Sequence, residues 1–278
     1  MNTRLHLIIL FSLLFFVSQS VSAQYSVFNH LENEKYIELY VAKPTIKDEL
    51  ADFNRLSHTG VISSQFFCKS DYCLIAELPY SYSNYETTSD FSNKNINESN
   101  FVIGNPRFGI RNFLSEQYQL DISLVLPNVS IDEDFISAYY GMLTRSDELE
   151  MFAPKLTSLS IDGLVNFSSN NMIQPYIKIG MTGWKLESSF EDTEYELLNK
   201  YDVGLVFSPK DFLLTAKVKG ITILTESDLD FDKRNVNSFI LALKLKSKYQ
   251  PGIYFLKPLD AQQDSVKYTI GIGIGSTF

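Results

Sequence analysis

Read backwards from its last residue, the chain alternates. Tyr268, Ile270, Ile272, Ile274 and Phe278 fall on one parity, with Thr269, Gly271, Gly273, Gly275 and Thr277 on the other. A period of two is the signature of a β-strand with one apolar face. The pattern recurs upstream. Phe239, Leu241, Leu243 and Leu245 alternate with Ser238, Ala242, Lys244 and Lys246, and Phe212, Leu214, Ala216 and Val218 with Thr215, Lys217 and Lys219. Tyr201, Val203, Leu205 and Phe207 flank Asp202 and Gly204, while Ile173, Ile177, Ile179 and Met181 flank Gln174, Tyr176, Lys178 and Thr182. Leu159, Ile161, Val165 and Phe167 alternate with Ser160, Asp162 and Asn166, and Tyr118, Leu120, Ile122, Leu124 and Leu126 with Gln119, Asp121 and Ser123.

The connections alternate as well. Leu114 to Glu116, Ser168 to Asn171, Ser208 to Asp211, Lys248 to Pro251 and Lys69 to Asp71 are short. Asn84 to Asn100, Asn128 to Pro154, Lys185 to Tyr195, Glu226 to Asn235 and Leu259 to Ser265 are long and polar or acidic. Ten-residue segments with one apolar face, joined by short turns at one end and long loops at the other, make the wall of an all-β transmembrane antiparallel barrel with periplasmic turns and extracellular loops. The count gives eleven strands from Thr59 onward, and Lys35 to Lys43 supplies a twelfth. Ile46 to Leu56 has helical spacing, so residues 24–58 read either as that first strand or as an N-terminal plug or periplasmic extension, and residues 59–278 as the barrel. Within Asn128 to Pro154, Phe135, Tyr139 and Leu143 recur every four residues and predict a short helix that caps the pore or covers its rim.

Composition narrows the class. The 278 residues are 45% hydrophobic and 21% charged, with 24 Lys+Arg against 33 Asp+Glu and a net charge of −9, a balance unlike a nucleic-acid binder's. The one long apolar run, Leu5 to Val17, has Arg4 before it and Val21-Ser22-Ala23 after it, and reads as a secretory signal peptide over residues 1–23. Elsewhere no stretch approaches the ~18 apolar residues of a spanning helix. Export places Cys68 and Cys73, the two cysteines, in an oxidising compartment and favours a disulfide across their turn over free thiols.

A terminal strand ending on an aromatic is similar to the last strand of bacterial outer-membrane barrels, and the whole chain resembles a Gram-negative outer-membrane β-barrel protein. That resemblance implies location in the outer membrane. It also implies contact with outer-membrane lipid, and insertion by the barrel-assembly machinery guided by Tyr268, Ile270, Ile272, Ile274 and Phe278. The run Ile103-Gly104-Asn105-Pro106-Arg107-Phe108-Gly109-Ile110, with the long loop holding Phe135 to Phe152 and the strand after it, is similar to channel proteins of the FadL and phenol-degradation type. It departs from them in lacking a clear hydrophobic N-terminal hatch.

With the apolar parity toward lipid, the other parity faces the lumen. Arg107, Arg111, Asp121, Asp162, Tyr176, Lys178, Asp202, Lys217, Lys219, Lys244 and Lys246 are the candidate lining residues. Parity across the short turns sets Asp162 opposite Lys178, Asp202 opposite Lys217, and Asp121 diagonal to Arg107 and Arg111. This is a salt-bridge girdle, each pair stabilising the sheet by roughly 0.2–1 kcal/mol. Lys219, Lys244, Lys246 and Lys267 remain without acidic partners in that scheme, and would bias the lumen toward anions.

The expected function is a narrow or gated channel for small solutes, with a non-conducting structural or adhesive barrel as the alternative. An enzyme is not expected. The mature chain keeps only His30 and His58, and no Gly-x-Ser-x-Gly elbow occurs. No cofactor motif is present, since Gly271-Ile272-Gly273-Ile274-Gly275 is a strand rather than a phosphate loop. Asp228-Leu229-Asp230-Phe231-Asp232 lacks the Gly and distal Glu of a calcium loop and reads as a solvated acidic loop, like Glu187, Glu191, Asp192, Glu194 and Glu196.

Overall fold

The computed structural model describes residues 35–47, 56–89, 94–115, 117–167, 172–187, 193–225, 235–260 and 265–278. The strands run β1 (Tyr36–Ile46), β2 (His58–Phe66), β3 (Tyr72–Ser89), β4 (Lys94–Ile103), β5 (Arg107–Phe113), β6 (Tyr118–Val125), β7 (Leu156–Asn166), β8 (Ile173–Leu186), β9 (Glu194–Phe207), β10 (Phe212–Ile223), β11 (Asn235–Leu245), β12 (Gly252–Pro258) and β13 (Val266–Thr277). Each pairs antiparallel with its neighbours, and β1 zips onto β13 from Tyr36↔Thr277 to Ile46↔Val266, closing the cylinder. β4 and β5 share one wall position, both pairing with the long β3 on either side of Gly104-Asn105-Pro106. The result is a twelve-stranded barrel.

Alternation decides what faces out. Ile270, Ile272 and Ile274 on β13, Leu241 and Leu243 on β11, Val203 and Leu205 on β9, and Leu159 and Ile161 on β7 are all exposed. Their neighbours Gly271, Ala242, Asp202 and Ser160 point inward. An exposed band of large aliphatic side chains around a closed sheet is what a hydrocarbon surround requires. Tyr118, Phe167, Tyr249 and Phe278 are exposed at the short-turn end, a partial aromatic girdle.

Among the described residues of 24–58, β1 is an ordinary wall member paired on both sides, while most of Ile46 to Leu56, with its helical spacing, lies outside the described residues. The segment from Asn84 to Asn100 is a hairpin rather than a loop, because the β3–β4 ladder continues from Tyr80↔Ile103 to Ser89↔Lys94. It carries no apolar parity to betray it. Cys68 and Cys73 form a disulfide across the β2–β3 turn. The proposed signal peptide, His30, Glu191, Asp192 and the Asp228 to Asp232 loop lie outside the described residues.

Between β6 and β7 the chain leaves the wall. Residues 126–155 contain a helix, α1 (Ile131–Thr144), and a 3-10 turn over Leu149–Met151. The helix packs against the first four strands. Its buried face is Ser137, Ala138, Tyr140, Gly141 and Thr144, while Phe135, on the conspicuous aromatic stripe, is 55% exposed. The face is small and polar because the wall beneath it is: the hydroxyls of Ser83 and Ser137 are 2.6 Å apart, Thr59 meets Thr144 at 3.2 Å, and the Tyr140 hydroxyl donates to the Ser57 carbonyl. Met151 and Phe152 join Tyr40, Tyr176, Ile240, Tyr254 and Leu256 in an apolar core within the barrel.

Candidate functional site inside the barrel

Asn105 ties the insert to the wall. Proline has no N–H for the ladder, so Gly104-Asn105-Pro106 interrupts the strand, and Asn105, fully buried, uses the gap. Its side-chain oxygen accepts from the backbone N–H groups of Asn128 and Val129 at 2.8 and 3.1 Å, where the insert begins. Its amide nitrogen donates to the carbonyls of Glu150 and Ala153 at 2.9 and 2.7 Å, where the insert ends. Its backbone N–H adds a bond to the Met151 carbonyl at 2.7 Å. Gly104 belongs to the same junction, since a Cβ there would collide with the Met151 carbonyl oxygen.

Beyond α1 the turn Arg145-Ser146-Asp147-Glu148 crosses the lumen and latches onto facing walls. Arg107 on β5 is the hub. Its Nη1 lies 2.9 Å from Glu77 on β3, and its Nη2 lies 2.7 Å from both Glu148 and Glu150 of the insert. Across the lumen, Lys219 on β10 reaches Glu148 at 2.6 Å and Asp147 at 3.5 Å, and Lys200 on β9 reaches Glu150 at 2.5 Å. Arg145 pairs with Asp147 at 2.9 Å, bonds the Tyr40 hydroxyl and covers the Tyr40 ring. Burial pushes the Glu148 carboxyl up, but Arg107, Lys219 and Arg145 outweigh it and hold the group well below the usual carboxylate range.

On the short-turn side of this latch lies a cavity of about 120 Å³, lined by Glu148 above and by Tyr36, Arg111, Gln119, Asp121, Asp162, Lys178, Asp202 and Lys217 around its walls. Arg111 grips Asp121 through two bonds of 3.0 Å. Lys178 sits between Asp121 at 3.2 Å and Asp162 at 3.5 Å, and Lys217 meets Asp202 at 3.2 Å, with the Tyr176 hydroxyl donating to the same carboxylate.

The pairs therefore meet by side-chain reach, in a register different from the one parity suggested. Lys178 stands directly opposite Leu164 and Asp202, Asp162 opposite Gly180 and Asp121, and Lys217 opposite Gly204. Arg111 is the direct partner of Asp121, while Arg107 faces Val125 and turns to the insert. Lys219, expected to stand without an acid, is occupied by the insert. Lys244 is inward and buried. Lys246 is not in the lumen: β11 ends at Leu245, and Lys246 is exposed in the turn, donating to the Ser208 hydroxyl. Lys267 is exposed near the long-loop rim. Asn105, Arg145, Asp147, Glu148, Glu150 and Lys200 were invisible to parity, the first at a strand break and most of the others in an apparent loop.

A barrel whose outer wall is apolar and whose inner wall is charged, around a folded-in loop, leaves one surround for the outside. The fold is that of the outer-membrane β-barrels. An outer-membrane channel from Pseudomonas putida F1 superposes with a TM-score of 0.55 at 9% identity, over 92% of this chain and 100% of that one. The NanC porin superposes at 0.52 with 8% identity, over 87% and 99%. The toluene transporter TodX of Pseudomonas putida overlays more loosely, at 0.43 with 8% identity, over 89% of this chain and 91% of that one. At such identities the likeness is one of fold. No protein-family model matches the sequence, and no curated relative does.

Proposed function

We propose that this barrel is an outer-membrane channel for small solutes, closed at rest by residues 126–155. The observation that carries the reading is the latch. The insert is held across the lumen by charge pairs between its carboxylates and facing walls, beside the apolar contacts of Met151 and Phe152, and a cavity lined by charged side chains lies beneath it. A twelve-stranded barrel has limited interior room, between filled small barrels and open porins, so displacing one segment is enough to change its state. The supporting likeness is to proteins described as a channel and a porin.

A second reading rests on the apolar contacts of Met151 and Phe152 inside the barrel, which suit a permanently closed structural wall. Planar-bilayer recording separates the two. Asp147→Asn combined with Glu148→Gln removes both carboxylates facing Lys219, and the channel reading expects this variant to spend more time conducting than wild type. A folded variant that stays silent, alongside a silent wild type, would support the structural wall.

A further inference from the structure

The charges inside the barrel divide unevenly between wall and insert. Among the described ion pairs, the wall contributes six cations, Arg107, Arg111, Lys178, Lys200, Lys217 and Lys219, against four carboxylates, Glu77, Asp121, Asp162 and Asp202. The insert contributes one cation, Arg145, against three carboxylates, Asp147, Glu148 and Glu150. Glu38 and Lys244, both buried on the inner face, add one charge of each sign. Among these described residues the wall carries two positive charges more than its carboxylates match, and the insert carries two negative charges more than its one cation matches.

The surplus is localised. Arg111, Lys178 and Lys217 are each matched by wall carboxylates, whereas Lys200 and Lys219 meet only insert carboxylates among the described ion pairs, and Arg107 shares itself between Glu77 and two of them. Arg107 lies on β5 and the two lysines on β9 and β10, several wall positions away, so their charged ends converge from facing sides. Glu148 spans this gap, taking Arg107 on one carboxylate oxygen and Lys219 on the other, while one oxygen of Glu150 takes both Arg107 and Lys200.

We propose that Arg107, Lys200 and Lys219 form a binding site for a small dicarboxylate, and that Glu148 and Glu150 are its tethered occupants in the closed barrel. Three donors converging on two carboxylates are the arrangement that a free diacid would need, including a guanidinium able to serve both of its acid groups. A diacid that displaces the turn replaces the two carboxylates that Arg107, Lys200 and Lys219 lose, which a neutral or cationic solute does not. Solute entry and release of the insert are then the same exchange of partners. The inference rests on the insert leaving the lumen, as the channel reading requires.

Calorimetry on the folded barrel in detergent tests it, with glutarate as probe and glutaramide as its uncharged control. Glu148→Gln/Glu150→Gln removes the two carboxylates that bridge the three cations, leaving Arg107 with Glu77 and Lys219 with Asp147 at 3.5 Å, and should bind glutarate at least about tenfold more tightly than wild type. Adding Lys219→Gln should abolish the gain, and glutaramide should not discriminate among the proteins. Equal glutarate affinity in wild type and the double variant, or equal gains for glutaramide, would overturn the site. Should the double variant not fold, Ser146→Cys in the otherwise native protein gives a second readout, because this buried position sits in the turn itself. Glutarate, and not glutaramide, should accelerate its reaction with a water-soluble maleimide; no acceleration would sink the proposal. Glutarate binding by a barrel that never conducts would leave the site standing and remove the channel instead.

Discussion

Replacing Arg107 by Met removes the hub of the latch while keeping the volume of its stem. Three carboxylates lose a partner, and they are not left alike. Glu148 keeps Lys219 at 2.6 Å and Glu150 keeps Lys200 at 2.5 Å, while Glu77 keeps only the Ser63 hydroxyl at 3.4 Å among its described hydrogen bonds and ion pairs. The cost is therefore dominated by one orphaned carboxylate. Arg107 and Glu77 side chains are 14% and 12% exposed, so the pair counts as largely buried. Breaking such a pair costs about 3–5 kcal/mol, most of it the penalty of the charge left behind. Urea titration of the barrel in lipid vesicles measures the loss. Adding Glu77→Gln to Arg107→Met should recover most of it, because the orphan is gone; adding Glu150→Gln should recover little, because Lys200 already neutralises that group. Contact coupling of this kind shows as non-additivity in a double-mutant cycle. A loss below about 1 kcal/mol, the value of an exposed pair, or equal rescue by the two second substitutions, would refute the assignment of Arg107 as hub.

Lys178→Met should destabilise the wall by about 1 kcal/mol. Asp121 and Asp162 stand directly opposite each other with Lys178 between them, and Asp162→Asn in the same chain should restore stability by the same titration. Gly271→Val should cost about 1–3 kcal/mol, since even a Cβ there collides with the Tyr254 ring, whereas Gly183→Ala, with open space around it, should stay within about 0.5 kcal/mol. For pH, the lowered Glu148 carboxyl contributes stability that is fully present above its usual value of 4.5 and lost as pH falls toward its depressed folded value. Heat-modifiable gel mobility should be flat from neutrality down to about pH 5 and decline only in stronger acid; Glu148→Gln should show less of that decline.

The wall was legible because lipid enforces it. Ile270, Ile272 and Ile274 must all point outward, and a period of two survives any twist of the sheet. Register was not, because parity fixes a strand only to within two residues; Lys178 and Asp162 still meet, since a lysine stem spans the diagonal. The β3–β4 hairpin from Asn84 to Asn100 escaped notice for a related reason, its sequence showing no apolar parity. The α1 helix was visible through Phe135, Tyr139 and Leu143, yet the side it buries is Ser137, Ala138, Tyr140, Gly141 and Thr144, chosen to fit hydroxyls on β2 and β3. An inward-facing loop cannot be told from an external one by hydropathy when the lumen is polar. For that reason Asp147, Glu148 and Glu150 fall in a polar loop with no partner assigned by parity, and Lys219 on the wall stands without an acid, although each completes the other. Pro106 after Gly104-Asn105 was the one sequence cue to the junction, marking a strand that had to break without saying what would fill the gap.

The central claim is that the insert is a movable closure. Ser83 on β3 and Ser137 on α1 have hydroxyls 2.6 Å apart, close enough for a cysteine pair at these positions to lock the helix to the wall. The account predicts that the oxidised Ser83→Cys/Ser137→Cys barrel is silent in planar bilayers. Dithiothreitol should restore wild-type steps, and leave wild type, with its native Cys68–Cys73 bond, unchanged. Steps of wild-type size from the fully cross-linked protein would contradict it.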